Sequence, residues 1–495
     1  MNRLNGNARR TLPAVLTATL LFGGCTAVGP DYRSPDMPVP AAWSRQPEAG
    51  TSDATIDAAS LARWWQQLND PLLAGLIEEA RARSSDLRSA RAKLREARAR
   101  RDLASADRLP AVGASASASR AKSSAQAGGG STSSHYDVGF DASWEIDLFG
   151  GQRRAVEAAQ ADFDAGVADL DAARVTLAAE VARNYVELRS AQQRLTIARG
   201  NLASQRDTLQ ITDWRNQSGL ASTLDVEQAR TTREQTRSQI PVLETTLAKA
   251  ENRLAILLGQ VPGSLHGRLD APAGIPVALK DLAIGIPADT LRQRPDVLAA
   301  ERRLAAQTAR IGVAEAARWP SLSLSGSIGL EALTSGGLTA AGVVARSVAA
   351  SIAGTVFDGG RLRQQVEIQD ALREQTAVAY EQAVLAALED VENALVSLGN
   401  AQRRRTALEA ASESARNAAL LAQHRYAAGL TDFQAVLDTT RTVLSVEDNR
   451  ASAQAEQTTA LIQLYKALGG GWQADATTPS SPGTTGRNGS DDRPS

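Results

Sequence analysis

The chain has 495 residues, with 54 Lys and Arg set against 55 Asp and Glu, so its net charge of -1 gives no global bias toward nucleic acid or an anionic surface. One cysteine excludes an intrachain disulfide, and three scattered histidines (His135, His266, His424) argue against a His/Cys metal site within one chain. Aromatic content is 4%, while Ala, Arg, Glu, Gln and Leu dominate long stretches, the composition of extended helices rather than of a thick globular core.

The first element is an export signal over residues 1–24. Arg3, Arg9 and Arg10 precede an apolar run from Thr11 to Phe22, followed by Gly23, Gly24 and Cys25. The run is too short to be a permanent span. Leu21-Phe22-Gly23-Gly24-Cys25 resembles a bacterial lipobox, with Phe22 where Leu is usual. On that reading Cys25 is acylated and heads an N-terminal linker over 25–69. Acyl chains anchor because each buried CH₂ adds roughly 0.8 kcal/mol. Thr26, rather than Asp, resembles lipoproteins sorted to the outer membrane. The alternative is a small buried cysteine beside a conventional cleavage site.

Residues 70–259 read as helix, two strands, long helix, shorter helix. The first helical region runs from Asp70 to Asp107 and ends before Pro110, as a residue preceding proline disfavours helix. Strands follow at about 111–122 and 135–148. Val112 to Ala118 is a weak Ala/Ser alternation. From Tyr136 to Leu148 the alternation is strict: Tyr136, Val138, Phe140, Ala142, Trp144, Ile146 and Leu148 share one face. Asp137, Gly139, Asp141, Ser143, Glu145 and Asp147 share the other. The Ser/Gly-rich stretch 123–134 is a surface loop between them. The next helix spans Gln152 to about Gln217 without a proline, and Val181, Leu188, Leu195, Leu202 and Leu209 form a heptad seam. At 1.5 Å per residue it is on the order of 100 Å long. Gly219 suits a left-handed hairpin turn. The partner helix, Ser222 to Leu258, carries Ile240, Leu243, Leu247, Leu254 and Leu257 at seam spacing. Residues 260–287, punctuated by Pro262, Pro272, Pro276 and Pro287, form a non-helical linker.

The pattern then repeats over 288–471. Asp86 pairs with Asp296, Pro110 with Pro320, Val156-Glu157 with Val366-Glu367, Ala191-Gln192 with Ala401-Gln402, Gly219-Leu220 with Gly429-Leu430, and Leu258-Gly259 with Leu468-Gly469. Every pair lies 210 positions apart. A helix from about Pro295 to Ala317 leads into strands at about 320–331 and 343–357. Leu322, Leu324, Ile328 and Leu330 oppose Ser321, Ser323, Ser325 and Ser327; Val348, Ala350, Ile352 and Val356 face outward, and Arg346 falls on the same apolar phase. Ser335-Gly336-Gly337 is the counterpart loop. A second hairpin turns at Gly429, with a weaker seam in which Arg405 and Ser412 replace leucines. The tail 472–495 is rich in Ser, Thr, Pro and Gly and reads as disordered.

Dyad alternation over about ten residues is the signature of barrel strands that put apolar side chains toward lipid and polar ones toward a lumen. Four strands cannot close, and open edges are not tolerated in hydrocarbon. Closure must be shared: three chains give twelve strands, whereas two give eight with an interior filled by side chains. The fold class is an α+β membrane protein. It is a trimeric twelve-stranded β-barrel, four strands per chain, attached to long helical hairpins, with an internal two-fold sequence repeat. Asp137, Asp141 and Glu145 face the lumen. Glu78-Glu79 and Asp162/Asp164 read as solvated acids on charged helical faces. Gly128–Gly130 lacks the Lys-Ser/Thr of a phosphate loop. No enzyme site and no cofactor site emerge.

Several segments together resemble the outer-membrane factor family, in its NodT-like lipoprotein branch related to TolC and OprM. They are Cys25 with Val28-Gly29-Pro30-Asp31-Tyr32; Trp64-Trp65 with Asp70-Pro71-Leu72; Trp144-Glu145-Ile146-Asp147-Leu148-Phe149-Gly150; Phe357-Asp358-Gly359-Gly360; and Arg425-Tyr426, Gly429, Val436-Leu437-Asp438. The resemblance covers about residues 25–470. It implies a homotrimer in the outer membrane, lipid-anchored and spanning, whose twelve-stranded barrel is continued by a long periplasmic α-helical barrel with an equatorial belt. It implies an exit duct of a tripartite efflux pump, partnered by a periplasmic adaptor and an inner-membrane transporter of the RND type. Gly219, Leu220, Gly429 and Leu430 match the family's adaptor-contact turns. Asp225, Asp432 and Asp438 are candidate gate acids; Asp438 matches the second of a pair of aspartates facing the aperture in TolC-like relatives, while Ala435 occupies the first position. Asp432 can equally be a helix N-cap. A second class, a non-pore coiled-coil structural or adaptor lipoprotein, would show one hairpin in a β-rich module rather than two hairpins and four strands.

Overall fold

The computed structural model describes residues 27–37, 43–44, 58–277, 291 and 294–472. The signal segment, Cys25 and the tail from Gln473 onward lie outside the described residues. The chain forms two compact units. One comprises Met1–Pro40, Asp86–Ala173 and Asp289–Glu389; the other comprises Ala41–Ser85, Arg174–Ala288 and Asp390–Ser495.

In chain order the elements begin with α1 (Ala58–Ala62), a 3₁₀ turn (Trp64–Leu68), α2 (Pro71–Arg83) and α3 (Ser85–Ala106). They continue with β1 (Ala111–Lys122), α4 (Ala125–Gly128), β2 (Thr132–Ile146), α5 (Gly151–Gln217), α6 (Thr223–Leu257) and α7 (His266–Leu269). The second half holds α8 (Pro295–Ala316), β3 (Ser321–Ala332), β4 (Val344–Ala353), α9 (Arg361–Ala427) and α10 (Phe433–Ala467). The bounds of α3, β1, α5 and α6 recur in α8, β3, α9 and α10 at the 210-residue offset of the sequence repeat.

The helix expected over Asp70–Asp107 is two helices. The chain breaks at buried Ser84, which takes an extended ψ of 135°. Its repeat counterpart, Arg294, has ψ 132° and caps α8 ahead of Pro295. The break is therefore a property of the repeat. Proline announces it in the second copy; Ser85 says nothing in the first. At the start of α2 the Asp70 carboxylate accepts the Leu73 amide at 3.0 Å, and Pro71 occupies the first turn.

The sheet lies in the first unit and is a four-stranded antiparallel meander in the order β1-β2-β3-β4. β2 starts earlier than expected, at Thr132, because Lys122 pairs with Thr132 and Ser123 bonds Ser131. The intervening loop is shortened accordingly and holds α4. β2 ends at Ile146, short of Leu148. β4 ends at Ala353, so Val356 is not a strand residue. Pro320, which precedes β3, lies opposite Leu148 in the β2–β3 register and has no N–H to extend that ladder beyond Ile146. A side chain at Gly354 would meet the Pro320 ring at 3.1 Å.

The second unit has an aromatic core. Trp64 stacks on Tyr465 at 5.2 Å and meets Trp65 edge-on at 5.8 Å, all three being buried. The Tyr185 hydroxyl donates to Asp70 at 2.8 Å, so one carboxylate caps α2 and fixes α5. Along α5, Val181, Leu188, Leu195, Leu202 and Leu209 are all buried. Its partner α6 contains Pro241, which the seam reading passes over. The helix continues through it although one backbone donor is lost. The linker is not wholly non-helical, since α7 lies within it. Glu79, read as solvated, ties it down: the carboxylate accepts Arg268 at 2.6 Å and Gln260 at 2.7 Å. The hydrogen bond from Arg268 holds the Glu79 carboxyl below the usual range. Asp162, also read as solvated, is ion-paired with Arg310, and Asp164 accepts Gln160 at 2.7 Å.

Candidate channel faces and hairpin tips

The strand register sorts the sheet into two chemically opposite faces. On one, Val138 lies between Ala116 and Leu330, Phe140 between Ala114 and Ile328, and Ile146 beside Leu322 and then Ile352. These side chains stand uncovered, with Phe140 61%, Val348 83% and Ile352 72% exposed in the single chain. On the other face Asp137 lies between Ser117 and Glu331, Asp141 between Gly113 and Ser327, and Glu145 beside Ser323. Ser117 donates to Asp137 at 2.7 Å, and Ser323–Ser351 and Ser327–Ser347 pair at 2.7 and 2.8 Å. The three expected lumen acids thus share the hydrophilic face with a serine ladder. Outer strands β1 and β4 each have one partner, leaving two open edges among the described residues.

The hairpin tips belong to the second unit and are built alike. Helix α5 ends in a Schellman motif: the Leu220 amide donates to the Arg215 carbonyl at 2.7 Å and Gly219 to Asn216 at 2.9 Å, with Gly219 at φ 72°. Helix α9 ends the same way, Leu430 to Arg425 at 2.8 Å and Gly429 to Tyr426 at 3.0 Å, with φ 73°. The turns project Leu220 and Leu430, each 70% exposed. A Cβ at either glycine would meet no neighbour, so the left-handed backbone alone requires glycine.

The three tip acids have three different partners. Asp225 forms a capping box at the head of α6: it accepts the Ser222 amide at 2.9 Å, and its own amide donates to Ser222 Oγ at 3.2 Å. Asp432 is the N-cap of α10, accepting the Ala435 amide at 3.0 Å. Asp438 lies on an exposed face, accepting Gln434 at 2.9 Å and pairing with Arg441 at 3.7 Å. Val436 and Leu437 beside it are buried against Leu209, Val226 and Phe433. Two contacts that the sequence did not signal join the hairpins: Arg215 stacks over the Tyr426 ring at 4.4 Å, and Arg441 donates to Thr232 at 2.8 Å. Among the described residues no cluster of His, Cys, Asp and Glu could hold a metal, and no helix is long and apolar enough to cross a membrane.

A third feature, in the first unit, is a strap formed by residues 27–32. Buried Arg154 donates to the Val28 and Gly29 carbonyls, each at 3.2 Å, and to Asp31 at 2.7 Å. Val28 donates its amide to Phe149 at 3.0 Å, and the Tyr32 hydroxyl donates to Glu301 at 3.1 Å. Gly29 lies so close to Gly312 that a Cβ would sit 2.4 Å from its Cα. The Val28-Gly29-Pro30-Asp31-Tyr32 motif was the available signal; its partner Arg154 was not foreseen.

A two-faced sheet open at both edges, joined to paired helical hairpins in a twofold repeat, defines a subunit of an outer-membrane channel. The sequence matches the outer membrane efflux protein family over residues 76–260 and 286–470, two matches that again start 210 residues apart, and the chain belongs to that family. It is 36% identical to the pyoverdine export outer membrane protein OpmQ of Pseudomonas putida, over 89% of this chain and 93% of the relative. It is 32% identical to nodulation protein T of Rhizobium leguminosarum bv. trifolii, over 92% and 96%. Among solved structures, the outer-membrane channel OprN superposes with a TM-score of 0.84 at 40% identity, covering 90% of this chain and 99% of that one. The open-state MtrE outer membrane channel of Neisseria gonorrhoeae superposes with a TM-score of 0.79 at 30% identity, over 92% and 100%. The protein is an outer-membrane efflux channel.

Proposed function

We propose that three copies close one twelve-stranded barrel and act as the passive exit duct of a tripartite pump. The observation that carries this is the pair of open sheet edges between an apolar and a hydrophilic face. In hydrocarbon each unpaired backbone group costs several kcal/mol, so β1 of one copy must meet β4 of the next. Twelve strands leave a lumen that eight would fill. Asp137, Asp141 and Glu145 line that lumen, and Cys25 carries acyl chains at the mature N-terminus. The Leu220 and Leu430 turns dock a periplasmic adaptor, which joins the duct to an inner-membrane transporter of the RND type. Asp438, repeated three times around the axis, forms a carboxylate ring near the periplasmic aperture; such rings favour cations. Asp225 and Asp432 act there as helix caps. No catalytic step is assigned to the duct.

The test is native mass spectrometry of detergent-solubilised full-length protein. The expected species is three chains, each beginning at acylated Cys25. A folded monomer that conducts in planar bilayers would overturn the shared barrel.

A further inference from the structure

Arg346 has no part in the duct as described, yet it sits on the apolar phase of the sheet, in register with Ile328. It is not alone there. Every charged residue of the four strands obeys one partition. The acids Asp137, Asp141, Glu145 and Glu331 occupy the hydrophilic phase; the cations Arg120, Lys122 and Arg346 occupy the apolar phase. On the hydrophilic face two of the four acids find partners: Asp137 takes Ser117, and Glu331 takes His135 at 3.1 Å. The three cations are exposed, and none has an ion pair or hydrogen bond through its side chain to another described residue.

Their position along the strands is equally ordered. The antiparallel meander puts the β1–β2 and β3–β4 loops at one end of the sheet, while the other end runs into α3, α5, α8 and α9. Lys122 is the last residue of β1 with Arg120 two before it, and Arg346 is the third residue of β4. All three therefore stand within two residues of the loop end. A tilted strand needs about ten residues to cross the hydrocarbon. Starting from Val112 at the helical end, that count is spent by the time β1 reaches Arg120 and Lys122. A cation on the lipid face is costly at the midplane and nearly free at the interface.

Resting on the duct reading, in which the helical end is periplasmic, we propose that Arg120, Lys122 and Arg346 form an outward-facing phosphate-binding belt. Its occupant is the phosphorylated saccharolipid of the outer leaflet. Arginine suits phosphate bidentately, and an uncompensated cation facing a layer of phosphates is complementary to it. The hydrophilic face, with its acids, is kept for the lumen. Under threefold closure the belt numbers nine cations around the barrel.

The experiment is native mass spectrometry of the full-length protein exposed to bis-phosphorylated lipid A, dephosphorylated lipid A or phosphatidylglycerol. The wild type should retain bis-phosphorylated lipid A in preference to both others, less so as salt is raised. Each of R120Q, K122Q and R346Q should reduce retention about fivefold, and R346K should restore most of it. The hydrophilic-face variant D137N/D141N should retain lipid as the wild type does. Equal retention of the dephosphorylated lipid or of phosphatidylglycerol overturns the belt, as does a conducting triple variant with undiminished retention. The duct reading survives either result. A wild type that never conducts in planar bilayers overturns that reading and the belt with it.

Discussion

Asp438 is held loosely. Its side chain is 57% exposed and reaches Arg441 at 3.7 Å on the same helix. Arg441 meanwhile donates to Thr232 on the first hairpin. An exposed pair of this kind contributes less than about 1 kcal/mol. Asp438→Ala should therefore leave the trimer and its thermal midpoint nearly unchanged. In planar bilayers it should lower cation selectivity or weaken block by multivalent cations added at the periplasmic side. Unchanged selectivity and block would reduce Asp438 to a tether for Arg441. Asp225 was readable as a cap from Ser222 three residues before it, although the usual partner at that spacing is Glu or Gln; proximity to the turn drew it into the gate reading instead. The Arg441–Thr232 and Arg215–Tyr426 contacts link residues about two hundred positions apart, and no local period encodes such pairs.

The two hairpins match residue for residue in length and differ in what fills them. In the first, Leu195 packs with Ala198 and Leu243. In the second, Ser412 is buried and donates to Glu447 at 3.0 Å, while Arg416 and Arg450 pair with the same carboxylate. The leucine-to-serine change announced a weaker seam; that Glu447 would fill it required the register of α9 against α10. Burial alone would raise the Glu447 carboxyl, but the hydrogen bonds from Arg416 and Ser412 outweigh it and hold the group below its ordinary value. A depressed folded-state value means the stabilisation is fully present above the ordinary carboxylate value near about 4.3 and fades as pH falls through the folded one. Glu447→Gln should thus cost about 1–2 kcal/mol near neutral pH. The two denaturation curves should converge below about pH 4. Curves that stay parallel through the acid range would exclude the ionised bridge. At the turns the expected effect is functional: Leu220→Asp with Leu430→Asp should abolish efflux in cells while trimers persist by native mass spectrometry. Persistent efflux would remove the tips from adaptor docking.

Across the whole molecule, the repeat was legible to the residue because helices and strands recur at one offset, and the two faces of the sheet followed from strict alternation in β2. The strap was not, because it depends on two tertiary approaches, Gly29 to Gly312 and Ala27 to Gly150, that only glycine's lack of a Cβ allows. A side chain at Gly150 would sit 2.5 Å from Ala27, where β2 gives way to α5. A closed barrel already presents a full apolar band to the bilayer, whereas acyl chains bind reversibly unless there are two or more. On the proposed reading, retention rests on the barrel and acylation at Cys25 serves sorting. Cys25→Ser, if still exported, should reduce the fraction reaching the outer membrane in a density-gradient separation. The purified variant should show the conductance and trimer mass of the wild type. Normal sorting of Cys25→Ser would show that the lipid is dispensable even there. Loss of conductance in the purified variant would overturn that division of roles.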